Sequence, residues 1–223
     1  MLRTLSWLLI IPVLAGAAAA ADRPDQSWPP DAPDTRGVNE GRLEILDWPP
    51  PPELFRIDNR LVIDADSARH GWVAIEQCHR RLDAVPRLDI RYDYQTLRGL
   101  RIVEAQGIGA WRVDGNQVEL ADIERGASLC VRLQARILRR AADGRLILRQ
   151  GPFYRGFLDG FYPMAMTQRI EYPADWTLLD ARPATVFPPP RTPGSLEARA
   201  HFNGRLSLHL EFMPAAETAP HPR

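Results

Sequence analysis

From about Leu54 to Met213, apolar and polar residues alternate with a period of two and show almost no helical rhythm. In "SLCVRLQARIL", Leu129, Val131, Leu133, Ala135 and Ile137 fall on one face, and Ser128, Cys130, Arg132, Gln134 and Arg136 on the other. Successive side chains of a strand point to opposite sides, so this pattern predicts a strand with one buried and one wet face. "RLSLHLEF" repeats it, with Leu206, Leu208, Leu210 and Phe212 against Arg205, Ser207, His209 and Glu211. "SLEARAHF" precedes that run across Asn203-Gly204, and "AWRVDGNQVEL" surrounds Asp114-Gly115. Both dipeptides tolerate the positive φ of a two-residue hairpin turn, and the first would set position 201 opposite 206. Further strands are expected at 60–64, 72–82, 87–93, 99–105, 145–149, 163–172 and 176–181.

Many short alternating strands separated by turn signals predict a mainly β protein, an antiparallel β-sandwich of immunoglobulin-like or cohesin-like architecture. The stretch from "RYDYQTLRGLRIVEAQGIG" to "GASLCVRLQARIL" resembles cohesin-type and related bacterial sandwich modules. There too an extended Tyr-Asp segment precedes paired strands and a Gly opens the next. The resemblance implies a sandwich and transfers no site residue.

One stretch breaks the pattern. "GPFYRGFLDGFYPMAM", residues 151–166, packs aromatics, two Met and one Asp into a short span. Pro152 suits the first position of a helix and Gly160 the residue just past its end, so one short helix is expected near 152–159. Phe153 and Phe157 would share a face of it, with Phe161 folding back beyond the cap. As an apolar stripe this reads first as a plug closing one end of the sandwich. Left exposed, Phe153, Tyr154, Phe157, Phe161 and Tyr162, rimmed by Arg155 and Asp159, would form a surface for a protein or glycan partner. Asp159 four residues after Arg155 suggests a structural ion pair. A hydrolase reading would need Asp159 beside a second acid such as Asp93 or Glu171.

The ends add compartment and domain limits. "MLRTLSWLLIIPVLAGAAAAA" has a positive start, a short apolar run and small residues after it, the order of a secretory signal peptide over 1–21. Residues 22–53 are rich in Pro and read as an extended arm, within which "RLEILDW" could form a short strand or dock on the domain. The β-sandwich domain is expected over 54–213 and a disordered tail over 214–223. No later apolar run is long enough to span a membrane as a helix.

Cys78 and Cys130 are the two cysteines, and in an exported chain a disulfide between them is the economical reading. Cys130 shares parity with Arg132 and Arg136, and Cys78 with Glu76 and Arg80, which places the bond between neighbouring strands on an outer face. The 28 basic residues, all Arg, match 28 acidic ones, so neither a basic field for nucleic acid nor a polybasic patch for anionic lipid is expected. No serine-hydrolase elbow, zinc-protease helix, phosphate loop or EF-hand is present. The five His show no ligand spacing, and Met164 and Met166 are read as packing rather than a copper site. No metal or cofactor is expected. The sequence therefore points to a periplasmic or secreted, non-enzymatic binding or envelope-assembly module, with a carboxylate-pair hydrolase as the alternative.

Overall fold

A computed structural model describes residues 39–157, 160–190 and 192–215, apart from the side chain of Phe157. The expected leader, the arm up to residue 38, Asp159 and the tail from 216 lie outside the described residues. The chain opens with β1 (Glu44–Ile45) and β2 (Arg56–Val62), and a one-turn helix α1 (Ser67–His70) leads into β3 (Trp72–Leu82). Then follow β4 (Val85–Arg91), β5 (Leu97–Asp114), β6 (Gln117–Arg136), β7 (Leu138–Arg140) and β8 (Leu146–Phe153). The three-residue strands β9 (Arg155–Phe157) and β10 (Gly160–Tyr162) precede β11 (Met164–Glu171) and β12 (Thr177–Arg182). A 3-10 turn at Ala184–Val186 separates these from β13 (Ser195–Asn203) and β14 (Leu206–Met213). Among the described residues no helix is long and apolar enough to cross a membrane.

The strands form two main sheets. The larger runs β1-β13-β11-β2-β3-β6, with β4 and β5 both paired to β6. The smaller runs β12-β14-β8-β7. Inward residues of both, among them Leu61, Ile75, Val131, Leu148, Leu210 and Phe212, share one apolar cluster, so the sheets pack face to face as a sandwich. The pairings are antiparallel except that β11 lies parallel to β2. More than a hundred residues separate these two strands, long enough for the crossover a parallel pair requires.

Three local expectations need correction. No helix occupies the described residues 152–157. The chain stays extended through β8 and then forms the β9–β10 hairpin. Gly151 explains how the strand absorbs Pro152: it sits at φ +99° in a bulge opposite β14, and a Cβ there would lie 2.6 Å from the Leu206 carbonyl oxygen. The described helix is instead α1, which Gly71 ends in the left-handed conformation at φ +80°.

The Asn203-Gly204 turn, second, is not a hairpin. β13 belongs to the larger sheet and β14 to the smaller, and the chain crosses between them at this point. Both strands carry a buried face, Leu196, Ala198, Ala200 and Phe202 on one and Leu206, Leu208, Leu210 and Phe212 on the other. Alternation records only that each strand has an inner face, and here the two faces belong to opposite layers. Third, the Asp114-Gly115 signal does make a hairpin, but its two loop residues are Gly115 and Asn116, with Asp114 paired to Gln117.

The disulfide joins Cys78 to Cys130. The two are directly opposite across β3 and β6, and they share the face of Glu76, Arg80 and Arg132 rather than that of Ile75 and Val131. The pair therefore lies on the outer side of the larger sheet, as parity requires. The start of the chain's "RLEILDW" segment adds a strand: β1 pairs with β13, and His201 Nδ1 lies 2.7 Å from the Asp47 carbonyl oxygen.

Candidate functional site

The interior is not uniformly apolar. Asn59, Gln77, His79, Gln150 and Gln168 are all at most 5% exposed, and all point inward. Each follows from strand parity: Asn59 lies between Ile57 and Leu61, Gln168 between Met166 and Ile170, and Gln77 two residues after Ile75. Register then aligns three of them, because Gln168 pairs with Asn59 and Asn59 with Gln77. Gln77 Nε2 donates to Asn59 Oδ1 at 2.8 Å. From the opposite sheet, Gln150 Oε1 accepts from Gln168 Nε2 at 2.6 Å, and Gln150 Nε2 donates to the Tyr94 hydroxyl at 3.3 Å.

This belt of amides separates the main apolar cluster from a smaller one built on Ile57, Phe153, Met164, Met166, Phe202 and Leu206. Met164 and Met166 are fully buried there, which makes them packing. Buried polar groups of this kind are stable only when paired, and the Asn59 Nδ2 and Gln168 Oε1 atoms have no partner among the described residues.

At one end of the belt the sheets splay into a cavity of about 500 Å³. Its floor holds Ile57, Gln77 and His79. One wall is the β3–β4 corner and the strand beyond it, contributing Leu82, Val85, Leu88, Tyr92 and Tyr94. The facing wall is the aromatic stretch itself, with Phe153, Tyr154, Arg155 and Tyr162. The size and the mainly apolar lining match those of small-molecule sites.

The floor is uncharged. Burial pushes the His79 imidazole down to about 4, and its Nε2 lies 3.3 Å from the Tyr92 hydroxyl. Burial also raises the Tyr92 and Tyr94 phenols above their ordinary range. Phe55 stacks beside His79 with ring centroids 6.1 Å apart. Charge collects at the mouth, where Arg155 of β9 reaches across to an ion pair with Asp83 of the β3–β4 corner. The same guanidinium lies 5.8 Å from the ring centroids of both Phe55 and Tyr162.

The residues singled out in the sequence divide between two roles. Phe153 is 7% exposed and belongs to the smaller core cluster, whereas Tyr154 is 50% exposed. Tyr154 meets Phe161 edge-on at 5.5 Å, and Arg205 lies over both rings, 5.6 Å from Tyr154 and 5.0 Å from Phe161. Asp159 and the Phe157 side chain lie outside the described residues. Asp93 lines the cavity's rim, while Glu171 sits on the outer face of the larger sheet, held by Arg60 in two hydrogen bonds of 3.0 and 2.8 Å.

The belt and His79 escaped the sequence reading, although polar residues at apolar parity in "AIEQCHRR" and "MAMTQRI" carried the signal. One group could in principle hold a metal among the described residues: Asp180, His209 and Glu211. Arg182 and Arg145 already occupy its carboxylates, which disfavours a cation there.

No protein-family model matches the chain. No curated protein matches it either. Among solved structures it is similar to the M1 zinc metallopeptidase from Deinococcus radiodurans, with a TM-score of 0.40 and 16% identity over 79% of this chain and 43% of that one. A variant of that peptidase bound to a Tyr-Ser-Ala substrate gives 0.40 and 15% over the same shares. A two-domain M1 zinc metallopeptidase bound to L-arginine gives 0.37 and 18% over 78% and 44%. The chain thus spans less than half the length of these proteins, and likeness at this level assigns neither family nor activity.

Proposed function

We propose that the protein is a non-enzymatic binding module working outside the cytoplasm, and that the splayed end of the sandwich is its ligand site. The observation that carries this reading is the combination of an apolar cavity of about 500 Å³ with a floor of neutral hydrogen-bonding groups. Such a site accepts the apolar or aromatic body of a small ligand and fixes one polar atom of it against His79 or Gln77. The Arg155–Asp83 pair at the mouth and the exposed Tyr154 ring give an amphipathic ligand's polar end somewhere to rest. The compartment rests on the leader-like start of the sequence and on the disulfide, which persists only where thiols are not kept reduced.

A fluorescent apolar probe, anilinonaphthalene sulfonate, tests the site on the folded full-length chain. Saturable binding is expected, and Leu88→Arg, on a half-buried wall position, should abolish it while melting stays within a few degrees. Unchanged binding in that variant, or no saturation in the native protein, would remove the reading.

A further inference from the structure

The outer face of the larger sheet carries a second arrangement that neither the core nor the groove requires. Strand register sets Arg169, Arg60, Glu76, Arg132 and Arg101 in one row across β11, β2, β3, β6 and β5. Arg169 and Arg60 share Glu171 between them, whereas Arg132 and Arg101 put like charges directly opposite one another with no acid bridging the two among the described residues. Such a pair destabilises a sheet, so a charge pattern selected for stability alone would avoid it.

Next to this row lies a cavity of about 460 Å³, with Ala74 among its lining and Arg60, Arg98, Arg101 and Arg132 around it. Gly99 keeps one side open, since nothing lies within 4 Å of where its Cβ would stand. Arg60 is engaged by Glu171 and Arg132 by Glu76 through a 2.7 Å contact. Arg98 is held in place by a bond to Gln134 Oε1 at 2.8 Å and by stacking 4.2 Å over the Trp72 ring. Among the described residues Arg101 makes one side-chain hydrogen bond, to the Gly99 carbonyl at 3.5 Å, and has no acidic partner. Four guanidiniums against Glu76 and Glu171 leave a surplus of two positive charges around one hollow.

We propose that this hollow is a binding site for a compact ligand bearing two or more anionic oxygens, of the diphosphate type. Guanidinium forks present paired N–H donors that match such oxygens. The chain as a whole is electrically balanced, so the positive field is local and fits a small anion better than a long polyanion.

Calorimetric titration of the full chain with pyrophosphate, below about 0.1 M ionic strength where screening is weak, tests the proposal. One-to-one saturable binding is expected. Arg101→Gln should weaken it at least about tenfold, the usual loss with a charge-assisted hydrogen bond. That change removes only a marginal contact, so its melting temperature should match the native chain. Arg139→Gln, at an exposed position of β7 in the other sheet, should leave affinity unchanged. Absence of saturable heat, equal affinity in Arg101→Gln, or binding of a short single-stranded oligonucleotide without binding of pyrophosphate would each overturn the assignment.

Discussion

His79 sits 4% exposed at the floor of the groove, neutral because burial penalises its charged form. Its folded value of about 4 lies below the ordinary 6.5, so between these limits the unfolded chain binds a proton that the folded chain refuses. Stability is therefore complete above pH 6.5 and declines as pH falls towards 4, by about 3 kcal/mol in all. Glu171, held low by its bond from Arg60, and Glu211, held low first by His209, contribute their own losses only below their ordinary 4.5. Urea unfolding at several pH values between 6.5 and 4.5 should show the slope, and His79→Gln should flatten it. A native profile without slope in that window would mean the imidazole is solvated. Asn59, Gln77 and Gln168 belong to the same scale. Each occupies a position whose neighbours two residues away are core, and this was readable in the sequence as a polar letter on an apolar face.

At the scale of elements, the disulfide staples β3 to β6 in the middle of the larger sheet. It closes a loop of 52 residues, and in the chain-entropy view that stabilises the fold by about 4 kcal/mol. The double variant Cys78→Ala, Cys130→Ala should lose most of this in denaturant titration, since the pair stands on the outer face and its removal leaves the inner packing of Ile75 and Val131 in place. The crossing at Gly204 is less forgiving. That residue lies at φ +83°, and a Cβ would run into the Arg42 carbonyl. Gly204→Ala should cost at least about 2 kcal/mol, from left-handed strain plus displacement of the arm; a melting temperature equal to the native one would refute the argument. The strands themselves were legible: 72–82 was anticipated with both bounds, and 176–181 differs from β12 by one residue at each end. The helix was not. Pro152 and Gly160 are helix punctuation in isolation, yet the bulge at Gly151 and pairing with β14 take Pro152 into a strand end.

Viewed as a whole, the molecule places two surfaces of opposite chemistry on one sandwich. The groove is neutral and apolar inside, and the outer face of the larger sheet is polar and locally positive. A ligand that binds the folded state alone must raise stability, by about 2.7 kcal/mol at a hundredfold excess over its dissociation constant. The apolar probe and pyrophosphate should therefore raise the melting temperature additively when both are present, because their sites have no lining residue in common. Marked antagonism in calorimetry would show that the two sites compete or are coupled.

The sequence by itself determined the β class, most strand positions, the face on which each residue lies, the disulfide and the side of the sheet that bears it. These follow from a local rule, the two-residue alternation of side-chain direction, which needs no knowledge of partners. Only the tertiary structure decided that β13 and β14 face each other across the core, that the aromatic stretch walls a groove against residues 82–94, and that four arginines from three strands meet around one hollow. Pairing partners and register are set by contacts among residues distant in the chain, and alternation is the same whichever strand lies alongside.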